Sequence, residues 1–233
     1  MLRLFKFILA GAAALAVFAS LPAAAEDKKL KISVANNYPN SLLIVGETGP
    51  KYGERVKRIS GGNIEMKFHE PGALVPALQS IQAVSKGSVD AAWSSPGFFS
   101  GTDSAFNMFS TVPFGPSIPE YLAWMYYGGG RELQDDLFAK HNIVAIPCGM
   151  HALEASGWFR KEIKSVRDLK GLKMRFFGLG AKDMEKMGVS TQLLAPGDIF
   201  QGVATGNHRC HRIFHAGARS EAGLLPGGEI LLS

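Results

Sequence analysis

Leu30-Lys31-Ile32-Ser33-Val34-Ala35, a turn through Asn36-Asn37-Tyr38-Pro39-Asn40, a helical run closing on Ile59-Ser60-Gly61-Gly62, and then Asn63-Ile64-Glu65-Met66-Lys67-Phe68: this passage decides the fold class. The first six residues read as a strand, and Asn63–Phe68 alternates polar with apolar side chains, the period of a half-buried strand. Between them, Tyr52–Ile59 reads as a helix. It stops at Gly61-Gly62 because only glycine enters the left-handed region at little cost. Strand, helix, strand is the unit of a parallel sheet.

Working outward, the alternation continues. Pro71-Gly72 turns the chain into a helix around Val75–Ser85, which ends at Gly87, and Ser88–Trp93 predicts a short strand entering a loop with Pro96 and Gly97. Ile118–His141 is the longest helical segment. Pro119 suits a first helical turn, and Gly128-Gly129-Gly130 predicts a break into two helices. Ile143–Met150 reads as a further strand. Beyond it come Gly157–Arg160, a connector over Ser165–Gly171, Leu172–Phe176, a helix at Lys182–Met187 and a strand at Ser190–Leu194. Helices alternating with strands give an α/β fold, with ligand crevices at strand ends.

Composition narrows the function classes. The 233 residues carry a formal charge of +5, but two of those charges, Arg3 and Lys6, sit in the leader and one more lies in the last 32 residues. Residues 26–201 hold no run of clustered cations of the kind that displaces counterions from phosphates, so no nucleic-acid partner is expected. Arg3, Lys6, the apolar stretch Phe7–Ser20, the break at Leu21-Pro22 and the small residues Ala23-Ala24-Ala25 predict a cleaved signal peptide over residues 1–25 and a periplasmic mature chain. Cys148 lies in an apolar stretch and reads as a buried small hydrophobe. The sequence holds no Gly-x-Ser-x-Gly elbow, His-Glu-x-x-His pair or Gly-rich phosphate loop, so no enzyme is expected.

Five stretches resemble one family, the periplasmic receptors of TRAP transporters, and especially the branch that binds 2-oxo acids. They are Gly87-Ser88-Val89-Asp90-Ala91, Phe109–Gly115, Gly157-Trp158-Phe159-Arg160-Lys161, Leu169–Arg175 and Leu194–Phe200, in family order across residues 30 to 201. The resemblance implies a periplasmic binding protein of type II, two α/β lobes with a hinge that close over one small organic acid and hand it to the membrane permease subunits. It implies that Arg175 clamps the ligand carboxylate with a fork of parallel donors, charged even when buried. Glu154 falls where the 2-oxo-acid branch carries a ligand-contacting glutamine. There it could accept a hydroxyl hydrogen bond or help hold a sodium or calcium ion beside the ligand. Phe98 and Phe99 match a tyrosine-rich stretch lining the pocket; two aromatics packed in a core are the alternative reading. Trp158 matches a structural motif and is expected in packing.

After Gln201 the pattern changes. Gly202–Ser233 lacks strand alternation and a helical stripe. His208, Cys210, His211 and His215 resemble a zinc cluster, which supplies the alternative of a periplasmic metal-binding protein or hydrolase. A one-base shift offers another account. Residues 202–210 then permit Ala-Leu-Gln-Arg-Ala-Thr-Ile-Asp, and the next residues Ala-Thr-Glu-Phe, which looks like the family's following segment. The expected organisation is therefore a signal peptide at 1–25, a first lobe at 26–150, the start of a second lobe at 151–201, and an out-of-frame, irregular tail at 202–233. The second lobe is expected to be incomplete and the chain as written unable to bind productively.

Overall fold

The structure is a computed structural model that describes residues 29–150, 157–159, 161–199 and 202, and the backbone of two short strands at 210–211 and 230–232. Residues 1–28, with the signal peptide expected at 1–25, and most of residues 203–233 lie outside the described residues.

The opening passage folds as its periodicity predicts. Strand β1 spans Leu30–Asn36, helix α1 Thr48–Ile59 and strand β2 Ile64–His69. β1 and β2 are parallel, with Leu30 opposite Ile64 and Val34 opposite Phe68. Gly61 and Gly62 both take positive φ at the turn out of α1. The segment expected as one helix over Val75–Ser85 divides into a 3-10 turn, Ala77–Gln79, and a short helix α2, Ser80–Ser85. Strand β3 is confined to Ala91–Trp93 and pairs parallel with the C-terminal half of β1, giving the order β2-β1-β3.

After β3 come two 3-10 turns, Pro96–Phe99 and Ser104–Phe109, and the predicted pair of helices, α3 at Ile118–Tyr127 and α4 at Gly130–Ala139. Gly129 between them has φ 84°, which a side chain would disfavour. Ser117 opens α3, and its backbone N–H and hydroxyl both donate to Glu120 Oε2, at 2.8 and 2.7 Å. Those bonds, the side-chain one first, hold the Glu120 carboxyl below the usual carboxylate range. A depressed folded pKa contributes stability above the unfolded value that is lost as pH falls through the folded one. Ser117→Ala is expected to raise the Glu120 pKa toward its ordinary value. A carboxyl-carbon NMR titration across the acid range checks this; an unchanged midpoint would refute it.

The strand expected at Ile143–Met150 does not form. These residues join no ladder, and Val144 is 82% and Ile146 66% exposed. β-branched composition favours an extended chain only where a neighbouring strand offers partners, and Pro147 has no N–H to give one. Cys148 is a free thiol, half-buried rather than buried, and donates to the Ile146 carbonyl.

The second sheet contains β4, Gly157–Phe159; β5, Lys173–Arg175; β6, Ser190–Gln192; β7, Cys210–His211; and β8, Ile230–Leu232. Its order is β6-β5-β7-β4-β8. β5 runs parallel to β6 and β7, while β4 is antiparallel to β7 and β8. Helix α5, Gly178–Lys186, connects β5 to β6. Trp158 is buried on β4, in packing as expected. β1, at the middle of the first sheet, and β5, second from one edge of the other, each lie between two parallel neighbours.

The core is divided accordingly. One cluster joins Tyr38, Ile81, Phe98, Phe99, Phe106, Leu137 and Phe138, and Phe177 from beyond β5 inserts into it. A second gathers Phe159, Leu169, Leu172, Met174, Phe176 and Val189. Among the described residues no helix is long and apolar enough to cross a membrane.

Candidate ligand site at the ends of β1 and β5

The pleat of β5 sorts its side chains. Successive residues of an extended chain point to opposite faces. Met174 and Phe176 go into the second-lobe core, while Phe177 goes to the first-lobe cluster. Arg175 shares the parity of Phe177. It is the last residue of β5 and is 0% exposed.

What surrounds the guanidinium is specific. Its Nε and Nη2 donate to the Leu194 carbonyl, at 3.2 and 2.9 Å. Its central carbon lies 5.2 Å from the Phe177 ring centre and 5.9 Å from that of Phe98. The two rings are themselves 4.8 Å apart. Phe98 belongs to the first lobe, on the 3-10 turn just after β3, so rings from both lobes cover one cation. A guanidinium stays charged at any ordinary pH, and its planar donors match the two oxygens of a carboxylate.

The two adjacent phenylalanines have separate fates. Phe98 contacts the guanidinium, Phe177 and Tyr38. Phe99 is buried in the first-lobe cluster, which fits the core-packing alternative. Glu154 lies outside the described residues, as do the side chains of His208, Cys210, His211 and His215. Among the described residues no three His, Cys, Asp or Glu side chains come together as a metal seat.

Three groups were not singled out in the sequence. Phe177 is one, although its position two residues after Arg175 on an extended segment is the signal that could have found it. Asn37 and Ser94 are the others, at the C-terminal edge of the first sheet where α/β proteins bind ligands. Asn37 is fully buried; its Oδ1 accepts from Ser80 Oγ at 2.7 Å, while its Nδ2 has no partner among the described residues, and neither has Ser94 Oγ. Asn37 read only as a turn residue.

Gly97 sets how closely the lobes approach. A Cβ there would stand 2.6 Å from Ser110 Oγ and 3.1 Å from a Phe177 ring carbon. Gly97→Ala is expected to push Phe177 off its seat at a cost of about 1–3 kcal/mol, the usual range for overpacking. A lowered denaturation midpoint with a weakened near-UV aromatic signal checks it, and an unaltered aromatic signal would count against it.

One buried arginine at the end of β5, covered by aromatic rings from both sheets' sides of the molecule, fits a two-lobed α/β binding protein of the periplasmic type II class. Residues 35–207 match the family model for bacterial extracellular solute-binding proteins, family 7 (DctP), and the chain belongs to that family. It is a family of extracytoplasmic solute receptors, not of enzymes. The chain is 37% identical over 175 residues to a monocarboxylate 2-oxoacid-binding periplasmic protein of Nostoc sp., an alignment covering 74% of this chain and 47% of that protein. Among solved structures it resembles a TRAP transporter solute-binding protein of Bordetella bronchiseptica with calcium and picolinate, at TM-score 0.81 and 30% identity, covering 84% of this chain and 58% of that one. It also resembles a TRAP periplasmic solute-binding protein of Pseudoalteromonas atlantica with sodium and pyruvate, at TM-score 0.80 and 29% identity, covering 84% and 60%. The chain spans about half the length of the curated relative and less than two thirds of these structures.

Proposed function

We propose that residues 26–201 are the ligand-gripping part of a TRAP-transporter solute receptor. It is exported by a signal peptide cleaved after Ala25 and takes a small organic acid, a 2-oxo acid or related carboxylate, for delivery to membrane permease subunits. The observation that carries this reading is the fully buried Arg175 between Phe98 of one lobe and Phe177 of the other. Arg175 grips the carboxylate through its outer donors while Leu194 O fixes the guanidinium plane. Phe98 and Phe177 exclude water from the pair, which strengthens it. Phe98 and Phe99 offer no phenol to the ligand, so its second polar group is read from other residues. Glu154 is the residue to take a hydroxyl hydrogen bond or to hold a sodium or calcium ion. The relatives' bound pyruvate, picolinate, sodium and calcium are consistent with both parts.

The tail at 202–233 is read from a shifted frame. Supporting this, Val89-Asp90-Ala91 leads into β3 beside β1, and the shifted frame permits Ile-Asp-Ala over residues 208–211, leading into β7 beside β5. Reading the gene around the Gln201 codon tests the frame: a single-base change must open the string beginning Ala-Leu-Gln-Arg, and if none does, that half of the proposal falls. Calorimetry of the frame-restored protein with sodium pyruvate tests the grip. A saturable one-to-one heat is expected, and none with pyruvate or any other small carboxylate would overturn it.

A further inference from the structure

α5 begins without a cap of its own. A helix leaves its first N–H groups unpartnered, and an oxygen-bearing side chain at the position before the helix ordinarily accepts from one of them. Here that position is Phe177, which has no oxygen to offer and is committed to the first-lobe cluster, and the first turn holds no acidic residue. The contrast is with α3, opened by Ser117, and with the 3-10 turn Val166–Leu169, opened by Ser165, each with an acid three residues on.

An acceptor does stand at the end of α5, and it comes from the other lobe. Asn107, on the 3-10 turn Ser104–Phe109, is 1% exposed. Its Nδ2 donates to the Ser104 carbonyl at 3.0 Å, which fixes the amide so that Oδ1 is the end turned away from that carbonyl. Oδ1 has no partner among the described residues, and it lies 3.1 Å from where a Cβ on Gly178 would stand. Gly178 is the first residue of α5 and has φ 65°, so a bare backbone meets the amide oxygen. Among the described residues, a buried acceptor without a donor thus stands beside the first residue of a helix whose N-cap side chain makes no capping bond.

We propose that Asn107 is the N-cap of α5, supplied across the lobe boundary. In the structure Oδ1 does not yet make that bond, and a shift of α5 toward the first lobe would complete it. The cap is then made only when the lobes are together, so α5 and the adjoining end of β5, which carries Arg175, are held in place by the first lobe. Asn107 is a positioning residue; the proposal concerns the lobe contact and stands whatever organic acid is bound.

Amide hydrogen exchange of the full chain, read by NMR, tests this directly. Asn107→Leu keeps the side chain's approximate bulk but removes the acceptor. It is expected to speed exchange at residues 179–181 about fivefold, the factor one ordinary hydrogen bond is worth, while Ile32 and Val34 in β1 keep their protection. Unchanged exchange at 179–181 overturns the proposal. Asn107→Asp retains an acceptor and adds a negative charge that a helix N-terminus favours, so its first turn is expected to be protected at least as well as in the parent. Protection lost in the Asp variant as in the Leu variant would show that Asn107 matters only for packing. Should Asn107→Leu unfold the first lobe, as loss of β1 protection would reveal, the Asp variant decides alone.

Discussion

Arg175→Lys is expected to reduce carboxylate binding by about 100-fold, in line with the roughly 1.5–3 kcal/mol that a hydrogen bond to a charged group contributes. Lysine keeps the charge and loses the geometry. The guanidinium uses Nε and Nη2 on Leu194 O and is held between the Phe98 and Phe177 rings, an arrangement that depends on a flat, delocalised cation. An ammonium that donates to Leu194 O has its point charge drawn toward that carbonyl, and it stacks poorly on either ring. Arg175→Ala should bind no better. It also leaves the partly buried Leu194 carbonyl without the guanidinium, at a stability cost of about 1 kcal/mol for the lost hydrogen bonding. The two variants therefore separate grip from support: both lose binding, and only Ala loses this much stability. Calorimetry with sodium pyruvate beside a denaturation curve, on the frame-restored protein, reads both quantities. Binding by Arg175→Lys within a few-fold of the parent would remove the guanidinium from its assigned role.

Local elements were legible in the sequence because their signals are local. The turn residues and strand period over residues 30–68 gave the strand–helix–strand unit, and Gly128-Gly129-Gly130 gave the break between α3 and α4. What failed was whatever depended on a distant partner. Ile143–Met150 has strand composition, but among the described residues no strand pairs with it. Phe98 and Phe99 are indistinguishable as neighbours in sequence. On a 3-10 turn, with three residues per turn, they point about 120° apart, and only one meets the cation. Arg175 after Leu-Lys-Met reads alone as a surface charge; resemblance to the receptor family gave it a role, and the structure gives its burial. Phe177 was legible in principle, from the parity of an extended segment, once Arg175 was placed. Asn107 was not, because the helix it faces begins some seventy residues later in the chain.

Phe106→Ala is expected to lower the stability of the first lobe by about 3–5 kcal/mol, a large part of the roughly 5–15 kcal/mol that holds an ordinary domain folded. Phe106 is 0% exposed and packs the Ser104–Phe109 turn against α4. Its ring meets Phe138 of α4 edge-on at 4.9 Å and lies 5.0 Å from the His141 ring just beyond that helix. His141 also stands 3.5 Å from Asp103, which caps the same 3-10 turn through the Ala105 N–H. Removing the phenyl ring leaves a cavity between the turn and α4 that rigid neighbours on both sides cannot fill by small shifts. The same substitution eight residues on supplies the control. Phe114 is fully exposed, and Phe114→Ala is expected to change stability by no more than about 0.5 kcal/mol. Urea denaturation followed by tryptophan fluorescence compares the pair. Equal midpoints for the two variants would mean that the contact between the Ser104–Phe109 turn and α4 does not support the lobe, and with it the platform that presents Asn107 to α5.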